Sequence, residues 1–284
     1  MGERLNHLNH QEQPGAAAAG STSAPGRSSE VVLSVVIPAH NESARLPATL
    51  QAVLSLLQSR SEAFEVLVVD DGSTDDTAEL VQRVCRESPE VRLLRHPTNF
   101  GKGAAVRNGM LNARGEYILF TDADLSAPIA EAERLLEPLK NGYDVAFGSR
   151  GLRPEWISQR QSRIREAAGR LFNFWTRSIA GLNFRDTQCG FKAFRRQAAE
   201  TIFARQRISG FGFDVEVLYL ARKFGYRVLE VPVHWAHCEG STVHMLRDSA
   251  RMFMDLLRIR WNNRRGKYAL EAGNFPEASR FPQR

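Results

Sequence analysis

Tyr117-Ile-Leu-Phe-Thr-Asp-Ala-Asp-Leu125 decides how the rest of this chain is read. Its apolar first half has the length of a buried strand, and it ends on two carboxylates, Asp122 and Asp124. Acids at the C-terminal end of a strand lie in the crevice where open α/β sheets bind ligands. Residues two apart in extended chain point to one side, so both acids can face a single hard cation or ligand group. An isolated Asp-Ala-Asp is more often a solvated turn, so the flanking sequence must decide.

Upstream, Val31-Val-Leu-Ser-Val-Val-Ile37 is a β-branched run closed by Pro38, suited to a central parallel strand. Leu46, Leu50, Val53, Leu54 and Leu57 then follow at helical spacing. The plan repeats with a strand over 65–69, a turn at Asp70-Asp-Gly-Ser-Thr74 and a helix from Asp75 whose first turn is acidic. Residues 91–94 suggest a third strand, and Gly101-Lys-Gly103 opens a helix through Val106, Met110 and Leu111 that stops near Gly115. Downstream of the opening stretch, Pro128 launches a helix with Leu135, Leu136 and Leu139, followed by a strand over 144–148. This alternation from 31 to 150 specifies an α/β protein with a mostly parallel, doubly wound sheet.

The second half is less regular. Residues 150–170 carry six arginines, and Ile164, Ala168, Leu171, Trp175 and Ile179 mark an amphipathic helix. A helix from Phe211 to Gly225, a strand over 226–233 and a last amphipathic helix from Val243 to Trp261 complete the chain. The expected organisation is a disordered tail (1–30), one domain (31–242), a basic amphipathic helix (243–267) and a C-terminal tail (268–284).

With 284 residues, 43% hydrophobic and 25% charged, the chain can bury one large core. No run approaches the roughly 18 apolar residues of a membrane span, and the N-terminus shows no secretory pattern, so a cytoplasmic, soluble or peripheral protein is expected. Cys85, Cys189 and Cys238 are far apart, which argues against a disulfide framework or a zinc knuckle. The net charge of +6 is concentrated in 247–267, where seven basic residues face two acidic ones. No recognition motif accompanies them, so no nucleic-acid partner is expected.

Gly101-Lys-Gly103-Ala-Ala-Val106 lacks the third small position of a dinucleotide fingerprint, and no P-loop is present. Lys102 is either a phosphate ligand or a solvated lysine. Asp70 and Asp71 end one expected strand, Asp122 and Asp124 another, so the four acids converge on one sheet edge. Such a cluster repels itself unless a cation or a donor-rich ligand is present. A nucleoside diphosphate with Mg2+ or Mn2+ supplies both.

Four stretches in series resemble the motifs of the family 2 inverting glycosyltransferases with their GT-A fold: Val-Val-Ile-Pro-Ala-His-Asn-Glu42, Val-Val-Asp-Asp-Gly-Ser-Thr-Asp-Asp-Thr77, Asn99-Phe-Gly-Lys-Gly103 and Thr121-Asp-Ala-Asp124. Asp122-Ala-Asp-Leu-Ser-Ala-Pro128 and Asp186-Thr-Gln-Cys-Gly-Phe-Lys192 are similar to the branch that makes polyprenyl-phosphate sugars, nearest to the dolichyl-phosphate β-glucosyltransferases, with the mannosyl enzymes next. The resemblance implies that Pro38, Ala39, Glu42, Asp70, Asp71, Lys102, Asp122 and Ala123 bind the nucleotide sugar, UDP-glucose being favoured and GDP-mannose the alternative. It implies that Asp122 and Asp124 hold the diphosphate and its metal. The mannosyl branch often has a metal-binding Gln where Ser126 stands, so the third protein ligand is open, with His237 a candidate.

Inversion is a single displacement at the anomeric carbon. Asp214 is the expected general base for a hydroxyl acceptor. A phosphate monoester, with a second pKa near 6, needs cations instead, and Arg150, Arg163 and Lys192 are the expected ligands of an acceptor phosphate, with Arg185 adjacent. The last helix either lies on an anionic membrane surface or covers the core. A nucleotidyltransferase or a silent nucleotide-sugar-binding module are the readings of a different class.

Overall fold

The computed structural model describes residues 31–159, 169, 172–237 and 245–269. The expectations for the 1–30 tail, for Arg163 and for the chain after 269 lie outside these residues. The strands are β1 (Leu33–Ala39), β2 (Phe64–Asp70), β3 (Val91–Arg95), β4 (Tyr117–Thr121), β5 (Val145–Ser149), β6 (Ile157–Gln159), β7 (Phe191–Arg195), β8 (Val228–Pro232) and β9 (Trp235–Ala236). Seven of them form one sheet in the order β3-β2-β1-β4-β7-β5-β8, and β6 pairs with β9. The large sheet is parallel except for β7, which runs antiparallel to both β4 and β5.

β1, β4 and β5 are buried along their whole length, as strands covered on both faces must be. Alternation divides their side chains between two cores. Val36 and Phe120 enter one, and Val35, Ile37 and Leu119 enter the other. The helices are α1 (Leu46–Gln58), α2 (Thr77–Glu87), α3 (Lys102–Asn112), α4 (Ala132–Lys140), α5 (Arg196–Arg205), α6 (Phe213–Lys223) and α7 (Met245–Arg264). Leu50 and Val53 of α1, Val81 of α2 and Leu135 and Leu136 of α4 pack on one face. Val106 and Met110 of α3, Ile202 and Phe203 of α5, Val217 and Leu220 of α6, and Leu256 and Ile259 of α7 pack on the other. Each such side chain contributes roughly 1.5–3 kcal/mol through burial.

Three features depart from the sequence expectation. β1 continues through Pro38 to Ala39, paired with Val69 and Asp70 of β2. β7 occupies a stretch read only as a pocket motif. It is short and carries Lys192 at its second position, so neither length nor alternation announces a central strand. The helix bearing Trp175 and Ile179 closes on a π-helical turn, Thr176–Ala180, capped by Gly181 at φ 70. No helix among the described residues is long and apolar enough to cross a membrane.

Candidate active site

The strand order places a topological switch between β1 and β4, since the chain leaves β1 outward through β2 and β3 and returns on the opposite side. A cleft of about 1300 Å³ opens at that edge. Pro38, Ala39, Glu42, Asp71, Lys102, Asp122, Ala123 and Asp124 all line it. The two adjacent acids that end β2 part company, as strand alternation requires. Asp70 is fully buried, accepts from the Ser73 backbone N–H at 2.9 Å and faces Arg95 Nε at 3.1 Å. It belongs to the turn and does not line the cleft.

Asp71 laces two loops together. Its Oδ1 lies 2.7 Å from His96 Nδ1 and accepts from Phe100 N–H at 3.0 Å, while Oδ2 accepts from Gly101 N–H at 2.8 Å. Gly101 takes φ +100, and a Cβ there would come within 2.5 Å of Ser209 O, so only glycine lets α3 begin at this point. Glu42 receives Arg45 Nε and Nη2 at 2.8 and 2.7 Å.

The acidic turn after β4 is tightly held. Leu125 adopts φ 47, uncommon for a branched apolar residue, while Ser126 N–H donates to Asp124 Oδ1 at 2.9 Å. Asp122 sits against Gly190, where an added Cβ would overlap its carboxylate, and contacts Lys102 Nζ at 2.6 Å. Burial, with Asp124 and Asp214 nearby, pushes the Asp122 carboxyl above its ordinary range despite Lys102. Burial opposes the Lys102 charge, but Asp122 and Asp214 outweigh it and raise its pKa. Lys102 is therefore the cation shared by three carboxylates.

Asp214, in the first turn of α6, is buried against Lys192, whose ammonium also donates to Cys189 O at 2.6 Å. Lys192 is fully buried, so the expected acceptor-phosphate contact gives way to an internal ion pair. β7 lies between two strands, and its Lys192 side chain reaches Asp214 of α6. Lys102 and Lys192 lie 5.5 and 5.9 Å from the Phe120 ring centroid.

Arg150 follows β5 and grips Asp186 with Nε at 2.6 Å and Nη2 at 2.9 Å. Burial works against the Asp186 charge, but Arg150 and two backbone donors bring its pKa down to about 2. Glu230 of β8 accepts from the backbone N–H groups of Arg185 and Asp186 and from Ser149 Oγ, at 2.6–3.0 Å, and so orients this pair. His237 donates its backbone N–H to Gln159 O and stacks on Trp235. Among the described residues no group of three His, Cys, Asp or Glu is placed to hold a metal, so His237 does not complete a site with Asp122 and Asp124.

Residues 34–203 match the family model described as glycosyl transferase family 2. The chain belongs to that family. It is 39% identical to the human dolichyl-phosphate beta-glucosyltransferase over 84% of this chain and 78% of that one. It is 36% identical to the Saccharomyces cerevisiae protein of the same name, over 81% and 75%. Among solved structures, glucosyl-3-phosphoglycerate synthase from Mycobacterium tuberculosis superposes with a TM-score of 0.59 at 22% identity, covering 81% of this chain and 80% of that one. Mannosyl-3-phosphoglycerate synthase from Rubrobacter xylanophilus gives 0.54 at 22%, covering 86% and 78%. At that identity the likeness shows the fold, a GT-A-like sheet.

The family 2 cleft has two walls that sequence reasoning did not assign to it. Arg207, Ile208, Ser209, Gly210 and Phe211, between α5 and α6, form one. Arg251, Met254, Leu257, Arg258 and Trp261 of α7 belong to the other. The helical spacing of the latter set is visible in the sequence, but spacing alone does not separate Leu257 from its neighbour Leu256, which is buried in the core.

Proposed function

We propose that this family 2 transferase moves glucose from UDP-glucose to a polyprenyl phosphate of the dolichyl type, inverting the anomeric centre. The observation that carries the reading is the 35–39% identity to several dolichyl-phosphate beta-glucosyltransferases over about four fifths of the chain. The Mycobacterium tuberculosis synthase was crystallised with Mn2+ and UDP-glucose, which supports the donor and a divalent metal.

The residues fit such an ion in part. Asp122 and Asp124 present hard oxygen donors at the cleft, crowded by Asp214 and relieved by Lys102, which is the setting a further cation would stabilise. Asp122 and Asp124 are the residues that would hold the ion. Bound there, Mg2+ or Mn2+ would draw off negative charge as it grows on the leaving diphosphate. Lys102 adds a second positive charge beside the same group, an effect larger in the transition state than in the ground state. Pro38, Ala39 and Ala123 line that end of the cleft, and Asp71 fixes the loops that border it.

The pairing of Asp214 with Lys192 favours a phosphate acceptor over a hydroxyl. The Asp214 carboxylate is turned onto the buried Lys192 ammonium and does not line the cleft, and a phosphate monoester at pH 7 has little need of a base. Arg150 is paired with Asp186 and does not line the cleft, so it would meet such a phosphate only by sharing its guanidinium with that carboxylate, and Arg163 is the other guanidinium the reading assigns to it. Met254, Leu257 and Trp261 are exposed beside Arg251 and Arg258 of α7 at the cleft mouth, and this mixture suits an anionic bilayer in which the acceptor is embedded, on the cytoplasmic face. The organisation into a 31–242 transferase domain and a 243–267 membrane-facing helix follows from this reading.

The test is transfer of radiolabel from UDP-glucose and from GDP-mannose to polyprenyl phosphate in detergent, with Mg2+, Mn2+ or EDTA. Metal-dependent labelling from UDP-glucose is expected. Labelling from GDP-mannose alone would replace the donor, and hydrolysis without lipid labelling would replace the acceptor.

A further inference from the structure

Beyond α7 the chain turns at Gly266 and buries Tyr268 completely, at a position where no core residue was expected. The Tyr268 hydroxyl donates to Glu216 Oε1 at 2.5 Å, and Asn262 Nδ2 donates to that hydroxyl at 3.3 Å. Glu216, on α6, is buried as well. Its carboxylate also accepts from the backbone N–H of Arg207 at 3.0 Å and of Ile208 at 2.8 Å. One buried carboxylate thus joins the C-terminal turn to the loop that forms a wall of the cleft.

The loop passes the constraint on. Ser209 O accepts from Gly103 N–H at 2.7 Å and Ala104 N–H at 3.3 Å, in the first turn of α3. Gln206 Nε2 donates to Gly103 O at 2.9 Å and Ile208 O at 2.8 Å. The two backbones are so close that a Cβ on Gly103 would come within 2.6 Å of Ile208 O. Lys102, which meets Asp122, is the residue immediately before this contact. Two further contacts run alongside: Arg205 Nε donates to Ala269 O of the turn at 3.1 Å, and Asp255 of α7 packs on Gly212 of the loop, where a Cβ would meet Oδ2 at 2.5 Å.

We propose that Tyr268 is a positioning residue of the cleft, whose hydroxyl, acting through Glu216, sets loop 206–212 against the start of α3 and so holds Lys102 where a nucleoside diphosphate is bound. The identity of that ligand rests on the functional reading above, whereas the latch rests on packing and hydrogen bonds. Removing the hydroxyl leaves Glu216 one donor short in a site closed to water, and the loop must shift or open to compensate. The sheet, which has no part in this chain of contacts, stays as it is.

Hydrogen–deuterium exchange on the full chain, paired with donor kinetics, tests this. In Tyr268→Phe, amides of 206–212 and of the first turn of α3 should exchange about ten-fold faster while those of β1 and β4 are unchanged. kcat/KM for UDP-glucose should fall at least about three-fold with part of the loss in kcat, because the Lys102 charge acts more strongly on the transition state than on the bound donor. Glu216→Gln should produce the same local pattern, and the double variant should be no worse than the more affected single one. Unchanged exchange in the loop, a uniform rise across the sheet, or additive effects would overturn the latch. So would failure of both variants to fold, which would make the pair a stability element instead. The exchange readout needs no substrate, so a wild-type chain that fails to bind UDP would sink the functional reading while the latch is still judged on exchange.

Discussion

Single residues at this cleft are held by contacts that leave little room for substitution. Gly190 gives the Asp122 carboxylate its seat, and Gly190→Ala must push that carboxylate aside. Because displacement of a reacting group by about 1 Å can cost about 100-fold, transfer should fall by roughly that factor, read by label transfer to lipid. Turnover within two-fold of wild type would mean that the Asp122 position is not critical. Asp186 offers a pH test. Its pKa is about 2 in the fold against an ordinary 3.8, so it stabilises the protein above the ordinary value and loses that contribution as pH falls toward 2. Asp186→Asn should therefore lower the unfolding free energy by about 2–3 kcal/mol at pH 7 and by clearly less at pH 3, measured by urea titration. The parting of Asp70 and Asp71 was legible in principle, because neighbours at the end of a strand face opposite ways. The burial of Lys192 was not legible, since its partner Asp214 is 22 residues away on another element.

At the scale of elements, β1, β2, β4 and β5 could be seen as β-branched or apolar runs, because a strand covered on both faces needs little else. β7 could not. Phe191-Lys-Ala-Phe-Arg195 has an ion-paired lysine where the pattern calls for an apolar residue, and the cost of burying it is met by a carboxylate from α6. α7 was visible as an amphipathic helix, yet its two faces serve different ends, and adjacent leucines distinguish them. Leu256→Ala should cost about 2–4 kcal/mol of stability by opening a cavity, with vesicle binding unchanged per folded molecule. Leu257→Ser should change stability by no more than about 0.5 kcal/mol and weaken flotation with anionic liposomes. If both proteins float like the wild type, the exposed face does not meet lipid.

The whole molecule responds to what its cleft holds, since a ligand that binds only the folded chain stabilises it by mass action. UDP with Mn2+ at about 100 times the dissociation constant should add about 2.7 kcal/mol to the unfolding free energy, and EDTA should remove most of that gain if Asp122 and Asp124 bind through metal. A shift of equal size in EDTA would show that Lys102 and the loops suffice. The antiparallel β7 bears on how such a molecule comes to exist. It fills the gap between β4 and β5, and through it come Gly190, which seats Asp122, and Lys192, which pairs with Asp214. β4 and β5 leave the ribosome well before β7 and have no hydrogen bonds to each other in the finished sheet, so a nascent chain carries two open edges until the later strand arrives. Long-range insertion of this kind is slow, and the interval before it is when the chain is most exposed to aggregation.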